Sequence, residues 1–178
     1  MGEAARLARA SEQGFTRDVY RGEGSPIVGQ GFQTGHPSRY DPGFLGGDAI
    51  YSTNKPHLAN DYAMLKAYKE RPGNEAPNVM PLKLKLENPV TISAEEKTRI
   101  ASLDRHERDD WLRENVYAKG HDGVVVRYGD TYEEYAAPAN QYRSRFAGFD
   151  PAQQGGGNLL ASVMGALGLG SILGMEKE

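Results

Sequence analysis

The chain contains two kinds of hydrophobic periodicity, and together they predict a mixture of helices and strands. Apolar residues at helical spacing predict helices over residues 3–13, 55–68 and 94–117. The last of these regions is highly charged with a thin apolar stripe, which is typical of helix packed on one side only. Alternation with period two, or short β-branched and aromatic runs, predicts strands over residues 19–22, 49–53, 80–86, 123–128, 132–138 and 141–146. Because these strands do not alternate regularly with helices, the fold class we expect is α+β with a mostly antiparallel core.

Glycine, proline and asparagine residues mark where these elements should end. Gly14 follows the first helix at a position that tolerates a positive φ, and Asn54 precedes the second helix as its expected N-cap. Gly129-Asp130 separates two strand patterns and predicts a β-hairpin. The segment from Gly24 to Gly47 is rich in glycine and proline and predicts a long loop. A loop of that length in a compact domain is usually functional or mobile.

Length and composition indicate one globular domain followed by a tail. The chain has 178 residues, 38% of them hydrophobic, which is enough for a single core. We expect this domain to cover residues 1–151, and residues 152–178 to form a glycine-rich linker and an apolar tail. Residues 158–174 carry no charge, but they include several glycines and fall short of the about 20 residues that cross a bilayer. An interaction segment or a connection to a larger protein is therefore expected there, with membrane contact as the less favoured alternative.

Charge and residue content exclude several classes of protein. The formal net charge is −3, with 21 Lys and Arg against 24 Asp and Glu, so no overall positive field attracts nucleic acid. The absence of cysteine excludes disulfide frameworks, thiolate zinc sites and cysteine nucleophiles. The four histidines lie on separate predicted elements without metal-ligand spacing, so no metal site is expected.

Three short segments combine a strand end with polar side chains that could face a ligand. They are Tyr20-Arg21-Gly22, residues 47–62 and residues 132–138. Each segment alone has an ordinary structural explanation. Arg21 can be a surface charge, Ser52 and Thr53 can cap a helix, and adjacent glutamates can be solvated on a hairpin.

Taken together and in chain order, the three segments resemble the ADP-ribosyltransferase family. The first is similar to the opening strand of the family, where Arg or His precedes Gly, and the third resembles its catalytic glutamate strand. The second is similar to the Ser-Thr-Ser motif of the Arg-Ser-Glu toxin branch at Ser52-Thr53. Its Tyr51 and Tyr62 are similar to the pattern of a Tyr and a second, downstream Tyr in the poly(ADP-ribose) polymerase and diphtheria-toxin branch. The closer likeness, over about residues 15–146, is to modules of large phage polyvalent and head-associated proteins. Asn54, in place of a second Ser, and Tyr132, in place of Gln or Glu, depart from the toxin pattern.

This resemblance implies a split antiparallel β core with flanking helices, NAD as co-substrate, and a catalytic carboxylate. Breaking the bond between nicotinamide and ribose leaves positive charge on the ribose, which a fixed carboxylate stabilises. The resemblance assigns this role to Glu134, with a further hydrogen bond from the ribose 2′-hydroxyl. Neighbouring Glu133 should face the other side of its strand, and the Tyr-Ala-Ala-Pro that follows favours Glu134. Ser52 is expected to hydrogen-bond Glu134 and fix its rotamer.

The remaining contacts to NAD are also implied by the resemblance. Arg21 would bind the phosphates or the adjoining ribose, because a planar guanidinium suits two oxygens. The backbone of Gly22 would approach the nicotinamide carboxamide. Tyr51 and Tyr62 would enclose the pyridinium ring, with core packing as an equal alternative for Tyr62. Thr53 completes the expected cofactor-binding set.

The expected function is NAD-dependent mono-ADP-ribosyl transfer to a host macromolecule, with protein as the expected class and nicotinamide released. Asp130 and Tyr132, on the turn beside Glu134, would contact the acceptor. The expected location is the host cytoplasm, with delivery by a phage virion or attachment to it as an option. Two alternatives stay open: an NAD glycohydrolase, in which water replaces the acceptor, and a non-catalytic phage structural or interaction module.

Overall fold

The computed structural model describes residues 2–24, 49–70 and 77–149, and leaves out the side chains of residues 69 and 70. The helices in these ranges are α1 (Glu3–Glu12), α2 (Pro56–Glu70), α3 (Ala94–Ala101) and α4 (Arg105–Asn115). The strands are β1 (Arg17–Glu23), β2 (Ile50–Thr53), β3 (Asn78–Leu84), β4 (Val90–Ser93), β5 (Val124–Tyr128), β6 (Tyr132–Ala137) and β7 (Tyr142–Ser144). Most of the predicted loop from Gly24 to Gly47, and the predicted linker and tail at 152–178, lie outside the described residues.

The seven strands form one sheet in the order β4-β5-β6-β2-β1-β3-β7. The pairs are antiparallel except for β4 with β5, which are parallel. The predicted α+β class with a mostly antiparallel core is therefore confirmed. Among the described residues, none of the helices combines the length and the apolar character that crossing a membrane requires.

Two predictions about elements are wrong. Residues 94–117 form two helices, because Asp104 starts a new helix through a capping box. Its carboxylate accepts the Glu107 N–H at 2.9 Å, and the Glu107 carboxylate accepts the Asp104 N–H at 2.9 Å. Strand β4 was not predicted, because Asn88-Pro89 signals the end of a strand and four residues are too few to show a period.

Side chains on the two faces of the sheet have different surroundings. Paired residues of antiparallel strands point to the same face, and successive residues point to opposite faces. One row across four strands aligns Tyr20, Thr53, Glu134 and Val126 on the face that α2, α3 and α4 cover, here called the helix face. The next row aligns Ser52, Tyr135 and Val125 on the opposite face, here called the inner face.

The sheet is weakly joined at its centre and folds back on itself. Strands β1 and β2 share the single pair Tyr20↔Thr53, whereas β2 and β6 share four pairs. In a flat sheet β2 and β7 would lie three strand spacings apart, about 14 Å. The Tyr142 hydroxyl on β7 nevertheless donates to the Ile50 carbonyl on β2 at 2.9 Å and lies 3.1 Å from the Ser52 hydroxyl. The folding therefore encloses the inner face, and Tyr142 is fully buried.

We expect Tyr142→Phe to destabilise the fold. The substitution removes a buried hydroxyl that contacts both the Ile50 carbonyl and the Ser52 hydroxyl. A buried polar group that loses its partner costs about 1–3 kcal/mol in the free energy of unfolding. Urea unfolding followed by the fluorescence of Trp111, the one tryptophan, measures this loss. Tyr68→Phe, at a residue 58% exposed, should change the same free energy by less than about 0.5 kcal/mol. Equal stability of the two variants would contradict the proposed closure of the sheet.

Candidate functional site

The candidate site is built around Glu134, a carboxylate that lies on β6 and is only 8% exposed. Within the described ranges, three side chains donate hydrogen bonds to it. The Tyr62 hydroxyl donates to Oε1 at 3.0 Å, and Oε2 accepts from Lys97 Nζ at 2.5 Å and from the Tyr128 hydroxyl at 3.0 Å. Lys97 Nζ also donates to the Tyr128 hydroxyl at 2.9 Å. The two oxygens of Glu134 are thus acceptors for two phenol hydroxyls and one ammonium group.

Tyr128 is a hydrogen-bond donor at this site because its phenol stays protonated. Burial raises the pKa of Tyr128 far above its usual range, and the negative charge and hydrogen bond of Glu134 raise it further. The ring of Tyr128 stacks on Tyr132, with centroids 4.2 Å apart and planes 13° apart. The hairpin therefore places two stacked tyrosines beside the carboxylate. Asp130 is exposed at the turn that joins them.

Helix α2 brings Tyr62 to Glu134 by unusually close packing on β1. A Cβ on Gly22 would lie 1.9 Å from the Ala59 carbonyl oxygen and 2.8 Å from the Ala63 nitrogen. Ala59 and Ala63, one helical turn apart, are 1% and 0% exposed. The contact is between backbones, which requires small residues on both elements. Gly22 therefore has a packing role, and its carbonyl accepts a hydrogen bond from Lys66 Nζ at 3.3 Å.

Helix α3 brings Lys97 to the same carboxylate. Ser93 caps the helix by accepting the Glu96 N–H at 3.2 Å, directly after β4. Lys97 lies three positions before Ile100, which is fully buried, so both residues share the helix side that faces the sheet. Lys97 was not predicted as a site residue, because a lysine in a highly charged helix resembles a solvated surface residue. Its spacing from Ile100 was a usable signal.

The predicted hydrogen bond between Ser52 and Glu134 is not formed. Ser52 pairs in register with Tyr135, and Thr53 pairs with Glu134. Ser52 therefore points to the inner face, where its hydroxyl contacts Tyr142 at 3.1 Å, while Glu134 points to the helix face. The contacts that hold Glu134 come from Tyr62, Lys97 and Tyr128 instead.

The side chain of Arg21 also points to the inner face, because Arg21 follows Tyr20, which lies in the same row as Glu134 on the helix face. Its guanidinium pairs with the carboxylate of Glu23, which Lys66 Nζ also approaches at 3.6 Å. Burial raises the pKa of the neighbouring Tyr142 far above its usual range, and the positive charge of Arg21 partly opposes that rise. Arg21 and Ser52 thus belong to one inner-face cluster, separate from Glu134.

Tyr51, Thr53 and Asn54 have mainly structural contacts in the described residues. Tyr51 is half-buried against the helix-face core. The Thr53 hydroxyl donates to the Glu133 carbonyl at 3.0 Å and accepts the Lys55 N–H at 3.3 Å. Asn54 is not the N-cap of α2, which begins at Pro56. Its Oδ1 accepts the Glu133 N–H at 3.0 Å, and its own N–H donates to the Glu133 carbonyl at 3.2 Å. These bonds extend the pairing of β2 with β6 and fix the backbone beside Glu134.

Glu133 has a similar set of partners on the inner side of the sheet. Its carboxylate accepts from the Tyr135 hydroxyl at 2.6 Å and from Arg127 Nε at 3.1 Å, and lies 3.8 Å from Arg17. Burial raises the pKa of Tyr135 to about 12, and the hydrogen bond to Glu133 contributes. The two adjacent glutamates are thus held by separate networks on opposite faces, which offers a matched comparison.

The arrangement around Glu134 suits stabilisation of a positive charge or a polar hydroxyl. Oε1 accepts one hydrogen bond from the described residues, and a carboxylate oxygen has two lone pairs. The described residues therefore leave one acceptor position on Oε1 unused. Within the described part of the chain, no three His, Asp or Glu side chains are grouped as metal ligands. No family model, curated protein or solved structure matches the chain.

Proposed function

We propose that the chain is an NAD-dependent mono-ADP-ribosyltransferase that transfers ADP-ribose to a macromolecular acceptor and releases nicotinamide. The observation that carries the proposal is the enclosed carboxylate of Glu134, with three donors and one acceptor position left on Oε1. The mostly antiparallel sheet, joined at its centre by one residue pair and flanked by helices, is compatible with the ADP-ribosyltransferase-like core that the sequence resemblance implies.

The proposed chemistry matches what the carboxylate offers. The bond between the ribose anomeric carbon and the nicotinamide nitrogen breaks, and its electron pair neutralises the pyridinium. The positive charge that develops on the ribose is stabilised by Glu134, whose open lone pair on Oε1 accepts the 2′-hydroxyl. The acceptor nucleophile then forms a bond to the anomeric carbon and loses its proton to solvent. All bonds, charges and protons of this reaction are accounted for without a metal ion or a redox partner.

The positions of the other predicted residues shape the proposal. Tyr62 contacts Oε1 through its hydroxyl, so its role is to orient the carboxylate or to yield that position to the substrate. Arg21 points to the opposite face of the sheet from Glu134, so in this proposal it would bind a part of NAD distant from the carboxylate. The stacked Tyr128 and Tyr132, with exposed Asp130, form the proposed acceptor side of the site.

The proposed acceptor is a host protein, and the proposed setting is the host cytoplasm during phage infection. The glycohydrolase and the non-catalytic module are the rival functions. The hydrolase requires the same site, so the products distinguish it from the transferase. A purely structural module requires no NAD binding and should show no thermal stabilisation by it.

The test uses the purified chain with NAD and host lysate. Nicotinamide release is measured together with free ADP-ribose and with transfer of a labelled NAD analogue to protein. We expect nicotinamide release and labelled protein bands. Free ADP-ribose without labelled protein would favour the glycohydrolase. No nicotinamide release and no NAD-dependent rise in Tm would leave the non-catalytic module as the remaining function.

A further inference from the structure

Lys97 and Tyr128 form a closed set of hydrogen bonds with one oxygen of Glu134. Lys97 Nζ donates to Oε2 at 2.5 Å and to the Tyr128 hydroxyl at 2.9 Å, and that hydroxyl donates to Oε2 at 3.0 Å. These three hydrogen bonds form a triangle of Lys97, Tyr128 and Glu134. The triangle joins α3, β5 and β6, so three elements hold the position of one carboxylate oxygen. The side chains of Lys97 and Glu134 are 23% and 10% exposed, so water screens their interaction only weakly.

The other oxygen of Glu134 has a different environment. Among the described residues, Oε1 accepts only from Tyr62, at 3.0 Å. Partial rotation of the carboxylate would turn both oxygens away from these partners, and the contacts to Oε2 oppose it. The triangle therefore fixes the plane of the carboxylate and, with it, the direction in which Oε1 points.

We infer that Lys97 is a positioning residue, which acts with Tyr128 through Oε2 of Glu134 to direct Oε1 toward the substrate. This inference rests on the proposed function, since it concerns the same carboxylate. In this role Lys97 acts on the reaction through Glu134. A misplacement of about 1 Å at a reacting group can lower a rate about a hundredfold, so loss of the triangle should be measurable.

The test compares steady-state NAD cleavage by the wild-type chain, Lys97→Met, Glu134→Gln and the double variant. Lys97→Met should lower kcat about 10–100-fold with little change in KM, because the lost contact orients a catalytic group and does not bind substrate. The double variant should be no slower than Glu134→Gln, within about threefold, because effects that pass through one group do not add.

Two further variants separate positioning from general destabilisation. Lys83 pairs with Asp18 at 3.0 Å and is 9% exposed, three strands away from β6. Lys83→Met removes a comparable ion pair and should leave kcat unchanged at a temperature where it is folded. Tyr128→Phe removes the second donor to Oε2 and should lower kcat about tenfold. It decides the question if Lys97→Met does not fold.

Each outcome supports or overturns the inference. Wild-type kcat in both Lys97→Met and Tyr128→Phe would overturn it, and so would an increase in KM alone. A further loss in the double variant, as large as that of Lys97→Met alone, would show a role independent of Glu134. A wild-type chain that does not cleave NAD would overturn the proposed function first and this inference with it. The two failures are distinct, because the wild-type rate is measured before any variant.

Discussion

Glu134→Gln should lower the rate of NAD cleavage by at least about a hundredfold, which corresponds to about 2.7 kcal/mol in the activation barrier. Glutamine keeps the size of the side chain but removes the negative charge that stabilises the developing positive charge on ribose. It also replaces one of the two acceptor oxygens by an NH₂ group. When the amide oxygen accepts from Lys97 Nζ, the NH₂ group stands at the position of Oε1 and cannot accept the 2′-hydroxyl. Nicotinamide release under saturating NAD measures the effect, and circular dichroism with a Tm checks that the variant is folded.

Glu133→Gln is the matched control for this prediction. Glu133 is adjacent in sequence, and Tyr135 and Arg127 donate to it much as Tyr62, Tyr128 and Lys97 donate to Glu134. Its carboxylate points to the opposite face of β6, so its charge should not affect the reaction. We expect the control to stay within about threefold of the wild-type rate. Equal losses in both variants, or no loss in Glu134→Gln, would remove the assignment of Glu134.

The strands and helices could largely be predicted because their signals are local. The run Val124-Val125-Val126 has strand character at every position and lies in β5, and the pattern after the Gly129-Asp130 turn forms β6. Gly14 has the positive φ that its position after a helix required, at 85°. The break before α4 was also present in the sequence, as Asp104 with Glu107 three positions later, but a continuous charged pattern concealed it.

The site could be predicted only in part. The face of the sheet to which a side chain points depends on how its strand pairs with its neighbours, and this pairing is not determined by the local sequence. Glu134 was chosen over Glu133 from the residues that follow it, and the structure brings Tyr62 to its carboxylate. Ser52 was expected on the same side as Glu134, but a shift of one residue in pairing reverses the face of a strand side chain. Lys97 comes from a separate helix, and its contact with Glu134 depends on how that helix packs on the sheet.

Gly22→Ala should destabilise the fold severely, by more than about 3 kcal/mol in the free energy of unfolding. In a strand, alanine is ordinarily preferred to glycine by about 0.5–1 kcal/mol. Here the new Cβ would lie 1.9 Å from the Ala59 carbonyl oxygen, which belongs to the backbone of α2 and cannot move without the helix. The steric cost therefore outweighs the gain in propensity. Urea unfolding without ligand, followed by Trp111 fluorescence, measures the result.

The same variant separates two explanations of Gly22. If its only role were to let the backbone approach nicotinamide, Gly22→Ala would keep wild-type stability in the absence of NAD and would weaken NAD binding alone. The packing of α2 requires the opposite, a loss of stability before any ligand is added. Gly148→Ala is the control, since among the described residues no atom beyond its chain neighbours lies within 4 Å of a Cβ there, and it should stay within about 0.5 kcal/mol of wild type. A displaced α2 would also carry Tyr62 away from Oε1 of Glu134, so any folded fraction of Gly22→Ala should turn over NAD more slowly. Wild-type stability in this variant would show that the close contact between β1 and α2 is not required, and the placement of Tyr62 would then need another cause.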